Sequence, residues 1–557
     1  MPIRSEFGEW SMALSAAIHF KLALALAAPT FTHDIAPIVF RSCAPCHHAG
    51  GAGPFSLLTY EDVRKHARQI GVVTRTRYMP PWLPAAGYGE FEDERRLTAS
   101  EIRTIQDWVA HDAPEGPTAE LPTPPSFQEE WQLGPPDLVV TAPQPFVVPA
   151  SGPDLFWNFV LSPKIETRRY VRAIEIRVGN PRLVHHANLV IDRTGSLAAR
   201  GDGFPGMELA LERSVFDLDG HFLFWKPGSV PYSEPDGFSW TLGPGNNLVL
   251  NAHMQPSGKE EKVQPSVGLY FTDKPPAHFP LLIQLEHDGA LDIPAGRSDF
   301  LDADDFRLPL AVDVLAIYPH AHYLGKLLEA YATLPDGSRK WLIRIPDWNL
   351  NWQAIYRYRT PLFLPKGSVI SMRYHYDNSA ANPRNPNRPP KRVRAGNEAT
   401  DEMGHLWLQV LPRSAGDHRR ELAEAWMRHR VAKYPTDFAS NLQLGALALS
   451  RLDAAGAASA LAVAVRAQPE DAIGHNLYGS ALQTLGRSRE ALEQFQIAVR
   501  QKSDFVNARY NLARALIKAG RLDEAIENLR AVVAAYPNDE TAREYLASAL
   551  ALRTKSP

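Results

Sequence analysis

Cysteine is almost absent: Cys43 and Cys46 are the two cysteines in 557 residues. At most one disulfide can form, so packed cores must hold the domains together. A zinc site would need two further ligands at suitable spacing, and there is no second CxxC. Charge of one sign is lacking as well. The formal net charge of −3 gives no electrostatic case for nucleic acid or an anionic membrane surface. Long apolar runs are missing apart from "SMALSAAIHFKLALALAAPT" at 11–30. That run is too short, and too interrupted by His19 and Lys21, to span a bilayer stably. It ends in small residues, as at a secretory cleavage site, with Arg4 before it. We expect a signal peptide over 1–30 and export, to a bacterial periplasm, with an amphipathic first helix as the alternative. Walker A, HExxH and GxSxG sequences are absent. "GDGFPG" at 201–206 spells GxGxxG, but Pro205 and the lack of a strand–helix frame make it a loop.

What is present divides into blocks. The length suits three to five domains, and 47 prolines are too many for a mainly helical protein. Residues 31–118 read as helical segments, closing on "LTASEIRTIQDWVAHD", where Thr98 or Ser100 can cap. A proline-rich linker covers 119–136. From 137 to 412 come β-branched and aromatic runs such as "YVRAIEIRV", "NNLVLNAHM" and "SVISMRYHY", punctuated by Gly, Pro, Asn and Asp. This pattern predicts two all-β, jelly-roll-like sandwiches, 137–275 and 276–412. Beyond them lies an internal repeat. Pro435, Pro469, Ser503 and Pro537 stand 34 apart, as do Leu444, Tyr478, Leu512 and Leu546. Small residues follow at Gly445, Gly479, Ala513 and Ala547, and Ala457, Ala491 and Ala525 mark second helices. Residues 415–552 resemble a tetratricopeptide repeat array, which implies a concave surface for a protein partner or a stabilising cap.

A lone CxxC is compatible with a disulfide, a redox pair or half a zinc site. His47 directly behind Cys46 turns it into C-x-x-C-H, the pattern for covalent c-type haem, with two thioethers to the porphyrin and the histidine on iron. Met79, 32 positions past His47, is the candidate for the other axial ligand. With the closing amphipathic helix, 31–118 resembles a small class I cytochrome c.

Two histidine windows stand out in the β region. "LVHHANLVID" carries His185 and His186; "IYPHAHYLGK" carries His320 and His322. Residues two apart in a strand share a face, so His320 and His322 can grip one metal. Adjacent histidines need a bulge or a strand end to converge. "NNLVLNAHMQPSG" adds His253 and "TDEMGHLWLQV" adds Met403. The ordered set HH…H…HxH…M, with "HxHYLGK" and "DEMxxL" around the ligands, resembles the copper type II, ascorbate-dependent monooxygenases over roughly 135–412. That family includes the peptidylglycine α-hydroxylating and dopamine β-monooxygenases.

The resemblance implies one copper on His185, His186 and His253 for electron transfer. It implies a second on His320, His322 and Met403, where O2 binds and a C–H bond is attacked; imidazole and thioether suit copper, and zinc does not normally take methionine. There are departures. The animal enzymes carry structural disulfides that this chain cannot form. Peptide-amidating members hold a peptide carboxylate with an arginine and a tyrosine whose places are Tyr318 and Trp407 here, so a C-terminal glycine is not the expected substrate and an apolar or aromatic pocket is. His287, His375 and His405 read as supporting or structural residues. The combined expectation is an exported copper monooxygenase acting on a small organic C–H substrate with O2, its haem domain relaying electrons from an external one-electron donor. The alternative is a non-catalytic haem and copper electron-transfer or sensing protein, with the repeats as its interaction surface.

Overall fold

The computed structural model describes residues 28–555 apart from 128–130, 194, 196, 207–219, 399 and 415. All but the last three residues of the expected signal segment lie outside the described residues. No helix among those described is long and apolar enough to cross a membrane. The chain forms two compact units: Met1–Ala44, Ser56–Pro80 and Leu97–Pro125 make the first, and Pro45–Phe55, Pro81–Arg96 and Ser126–Pro557 the second.

The first unit is helical, with helices Ala36–Ser42, Tyr60–Lys65, Ala67–Arg75 and Ala99–Ala110. Thr98 starts the last of these with a capping box, its hydroxyl taking the Glu101 N–H while the Glu101 carboxylate takes the Thr98 N–H. The apolar stripe then turns Ile105 and Trp108 inward, and Trp108 Nε1 donates to the Pro114 carbonyl at 2.9 Å.

The second unit contains two pairs of antiparallel sheets. In the first pair, Asn247–Met254 runs between Leu155–Leu161 and Val184–Asp192, with Gly203–Pro205 and Phe224–Trp225 at the edges. Leu138–Thr141, Ser266–Thr272, Arg169–Arg177 and Trp240–Leu242 form its companion sheet. Alternate residues such as Phe159, Val171, Leu250 and Leu269 fill a shared core. Gly203–Pro205 pairs with Trp157–Phe159, so the glycine-rich stretch read as a loop contributes a short strand. The short period-2 run was masked by its glycines.

In the second pair, one sheet orders Leu281–Glu286, Gly404–Pro412, Val312–Ala321 and Tyr356–Leu364. The other orders Phe300–Arg307, Val369–Tyr376, Gly325–Thr333 and Arg339–Ile345. Pro81–Arg96 lies along this body: the Glu92 N–H donates to the Arg357 carbonyl at 2.9 Å, and Phe91 joins the core.

Helix Arg419–Lys433 buries Leu422, Ala423, Trp426 and Met427 in the same core. Its polar side meets two buried carboxylates: Arg430 Nη1 lies 2.9 Å from Glu286 and Lys433 Nζ 2.7 Å from Asp304. Helix pairs follow, Phe438–Ser450 with Ala454–Ala467, Ala472–Thr484 with Ser488–Gln501, and Val506–Lys518 with Leu522–Ala535, then Glu540–Lys555. The small residues of the repeat explain their closeness. A Cβ on Gly445 would stand 2.4 Å from Leu461, and one on Gly479 would stand 2.6 Å from Phe495.

Candidate functional site

His253 lies on the central strand of the five-stranded sheet, directly opposite His186 on its neighbour. The ladder slips between Val184 and His186, so His185 is the extra residue of a bulge and turns toward the same side as its neighbour. Ring centroids are 5.8 Å apart for His185–His186, 5.2 Å for His185–His253 and 5.0 Å for His186–His253. One nitrogen from each lies within 4.8 Å of the others, close enough to hold a metal ion.

The hydrogen bonds sort these nitrogens. His253 Nε2 donates to Asp154 Oδ2 at 2.8 Å, which leaves the lone pair on Nδ1. Nδ1 of His253 and Nδ1 of His185 are buried and have no hydrogen-bond partner. Burial, then the nearness of His253, pushes His185 down to about 4, and His186 is held well below its usual range for the same reasons. Both are therefore neutral near pH 7, the protonation state a metal ligand needs. Two orphaned buried nitrogens in an imidazole triad are costly without a partner and suit copper or another borderline metal.

The second group sits where strand Val312–Ala321 ends. His320 and His322 have ring centroids 5.4 Å apart. His320 Nδ1 donates to Gln353 Oε1 at 2.8 Å and His322 Nδ1 to the Asp401 carbonyl at 3.2 Å. Each ring thus keeps Nε2 for a ligand. Burial drives His320 down to about 3 and His322 to about 4. Met403 is nearly buried and precedes strand Gly404–Pro412, whose register sets Gly404 opposite Ala321. Glu402 ties this corner together: its carboxylate accepts the backbone N–H groups of His322, Leu324 and Met403, and burial raises its pKa to about 8.

Gln353, buried, stands between the two groups. Its Oε1 accepts from Tyr318 Oη and His320 Nδ1, both at 2.8 Å. Its Nε2 donates to His186 Nδ1 at 3.2 Å. His405 pairs across the ladder with His320 and bonds Asp288 through Nε2 at 2.8 Å, a supporting position. His375 bonds Asp299 at 2.8 Å. Sequence reasoning missed Asp154, Gln353 and Glu402. Glu402, a carboxylate bordering an apolar strand run, carried a signal; Asp154 and Gln353 stand in turns without periodicity.

The C-x-x-C-H motif divides between the units. Cys43 caps helix Ala36–Ser42, and Met79, in the same first unit, donates its N–H to the Val73 carbonyl at 3.1 Å. Cys46 and His47 lie in the second unit's segment Pro45–Phe55. Neither cysteine forms a disulfide. His47 Nδ1 lies 3.1 Å from the Phe55 carbonyl, to which it donates. His48 stacks on Phe127 with centroids 3.9 Å apart.

Residues 442–504, 479–540 and 510–556 match the family described as tetratricopeptide repeat. DnaJ homolog subfamily C member 3 from Homo sapiens is 29% identical over 108 residues, 19% of this chain and 21% of that protein. The peroxisomal targeting signal receptor of Eremothecium gossypii is 32% identical over 110 residues, 20% of this chain and 19% of its own. The chain therefore spans about a fifth of the length of these curated relatives. The solved structure of YrrB, described as a TPR protein with an unusual peptide-binding site, is 22% identical, with 24% of this chain and 70% of that one covered at a TM-score of 0.23.

Proposed function

We propose that the chain is an exported copper-dependent monooxygenase that hydroxylates an aliphatic C–H bond, with a c-type haem as its electron entry and a repeat array that binds a protein partner. The observation that carries this reading is the imidazole triad with its orphaned Nδ1 atoms on His185 and His253. His185, His186 and His253 would hold one copper; His320, His322 and Met403 the other. Cys43 and Cys46 would carry the haem, with His47 and Met79 as axial ligands. When bound, the coppers supply one-electron storage and O2 activation, and the haem accepts electrons singly from an external donor.

The chain's own residues do the rest. Asp154 fixes the tautomer of His253, and Gln353 and the Asp401 carbonyl fix those of His320 and His322. Glu402 holds the backbone of the second ligand set in place. Tyr318 lies on the same strand as His320, with Trp407 opposite it; these buried aromatic side chains support an apolar or aromatic substrate in place of a peptide carboxylate. The overall reaction balances as RH, O2, two electrons and two protons giving ROH and water. The repeat array supports a protein partner through its helical surface.

Copper titration of the full chain, read by elemental analysis, tests the assignment. Two coppers per chain are expected, falling to one in His320→Ala with His322→Ala, and a haem that survives acid–acetone extraction. Two tight coppers in that double variant, preference for zinc, or extractable haem would each overturn its part of the reading. Oxygen uptake with reductant and a C–H substrate separates the enzyme from a sensor, which consumes none.

A further inference from the structure

A cavity of about 740 Å³ opens within the second unit. One wall is aromatic: Phe222, Phe224, Trp225 and Tyr356 all line it. Phe224 connects that wall to the metal-competent residues, its ring stacked on His186 with centroids 5.9 Å apart and 5.6 Å from Tyr318. Through Phe224 the cavity wall reaches the first histidine group at His186.

Its polar lining is unusual. Lys226 follows strand Phe224–Trp225 and faces the cavity, and among the described residues its ammonium enters no ion pair. Arg95 bonds the Gly228 carbonyl at 2.8 Å and Cys46 Sγ at 3.9 Å, neither of them a carboxylate. Arg357 lies 3.5 Å over the Tyr232 ring. Glu92, Asp93 and Glu175 also reach the lining, and Glu175 sits 3.6 Å from Arg177. Burial, then the nearby Arg95, pushes the Lys226 ammonium down to about 8, with Cys46 acting in the opposite direction.

We propose that this cavity binds an aromatic carboxylate, with Lys226 and Arg95 taking the carboxylate and Phe224, Trp225 and Tyr356 the ring. Phe224 and Lys226 are two residues apart in near-extended chain, about 6–7 Å, which fits a ring separated from its carboxylate by a short alkyl link. As a substrate pocket the cavity rests on the hydroxylase reading; as a binding site it stands by itself. A carboxylate on a flat apolar body also describes haem, and the cavity is assigned to the free acid.

The test is calorimetric titration of the haem-loaded full chain, copper chelated and oxygen excluded, with 3-phenylpropionate and with its uncharged amide. The acid should bind at least about ten-fold more tightly than the amide, as a charge-assisted contact requires. Lys226→Met should weaken the acid about ten-fold and leave the amide unchanged, while Lys226→Arg should retain binding; unfolding temperatures check that each variant is folded. Equal binding of acid and amide, no acid binding up to about 10 mM, or an unaffected Lys226→Met overturns the proposal. So does acid binding confined to haem-free Cys43→Ala with Cys46→Ala, which would give the cavity to the haem carboxylates. No copper or turnover enters the readout, so failure here leaves the copper reading standing, and a failed copper titration leaves this site standing.

Discussion

Four histidines of the two groups are kept neutral by burial, and the consequence can be read from stability. Their ordinary value is 6.5, while the fold holds His185 and His322 at about 4 and His320 at about 3, with His186 also well below. Below pH 6.5 the unfolded chain takes up protons that the native rings refuse, so the metal-free protein should lose stability as pH falls from 6.5 toward 3–4. The loss is on the order of 3 kcal/mol for each fully depressed ring. Urea unfolding of chelated protein at pH 7, 6, 5 and 4 measures it; a flat profile would contradict neutral, buried histidines. Asp154 offers a second test. Asp154→Ala removes the acceptor that sets the His253 tautomer, so copper affinity at the first group should drop about 10- to 100-fold, with the second group unchanged by titration. The grouping of His185 and His186 with His253, and of His320 with His322, was legible because their spacing within strand-like runs is itself a chemical statement. Gln353 was not, since a glutamine brought in from a distant turn leaves no mark on either histidine window.

At the scale of elements, the bulge at His185 was foreseeable, because two adjacent histidines cannot otherwise face one side of a strand. Strand pairing was not. Leu138–Thr141 pairs with Ser266–Thr272, more than a hundred positions away, and composition does not encode that choice. The repeat was legible at single-residue detail because its contacts are local and recur. Gly479→Ala tests this: the added methyl would meet Phe495 at 2.6 Å, so the array should lose about 1–3 kcal/mol, seen in thermal unfolding. The sequence offered Thr98 or Ser100 as a cap, and the capping box falls on Thr98; Thr98→Ala should cost about 1 kcal/mol in the first unit alone, measurable by helix-sensitive circular dichroism.

At the scale of the molecule, helix Arg419–Lys433, which precedes the matched repeats, packs inside the second sandwich's core. Trp426 donates to the Gln284 carbonyl at 2.6 Å, and Glu286 and Asp304, nearly sealed from solvent, rely on Arg430 and Lys433. A chain ending at 412 should therefore aggregate, whereas one ending at 436 should elute as a folded monomeric body in size-exclusion chromatography. Removing one partner of such buried pairs costs about 3–5 kcal/mol, so Lys433→Met should destabilise the second unit far more than any exposed lysine change. A composition-based boundary near 412 could not show this, because the sequence there turns from strand-like to helical while the packing does not change hands.

That shared helix also imposes an order on synthesis. Chains grow from the N-terminus, and domains generally fold as they emerge. The second sandwich stays unfinished until residues 413–433 have emerged, with its acidic face uncompensated and its apolar edge bare. A pause inside that stretch would leave a nascent chain inviting proteases and chaperones, while a pause after it would not. Synonymous codons that slow translation just before residue 433 should lower yield, and the same codons placed inside the later repeats should leave it unchanged.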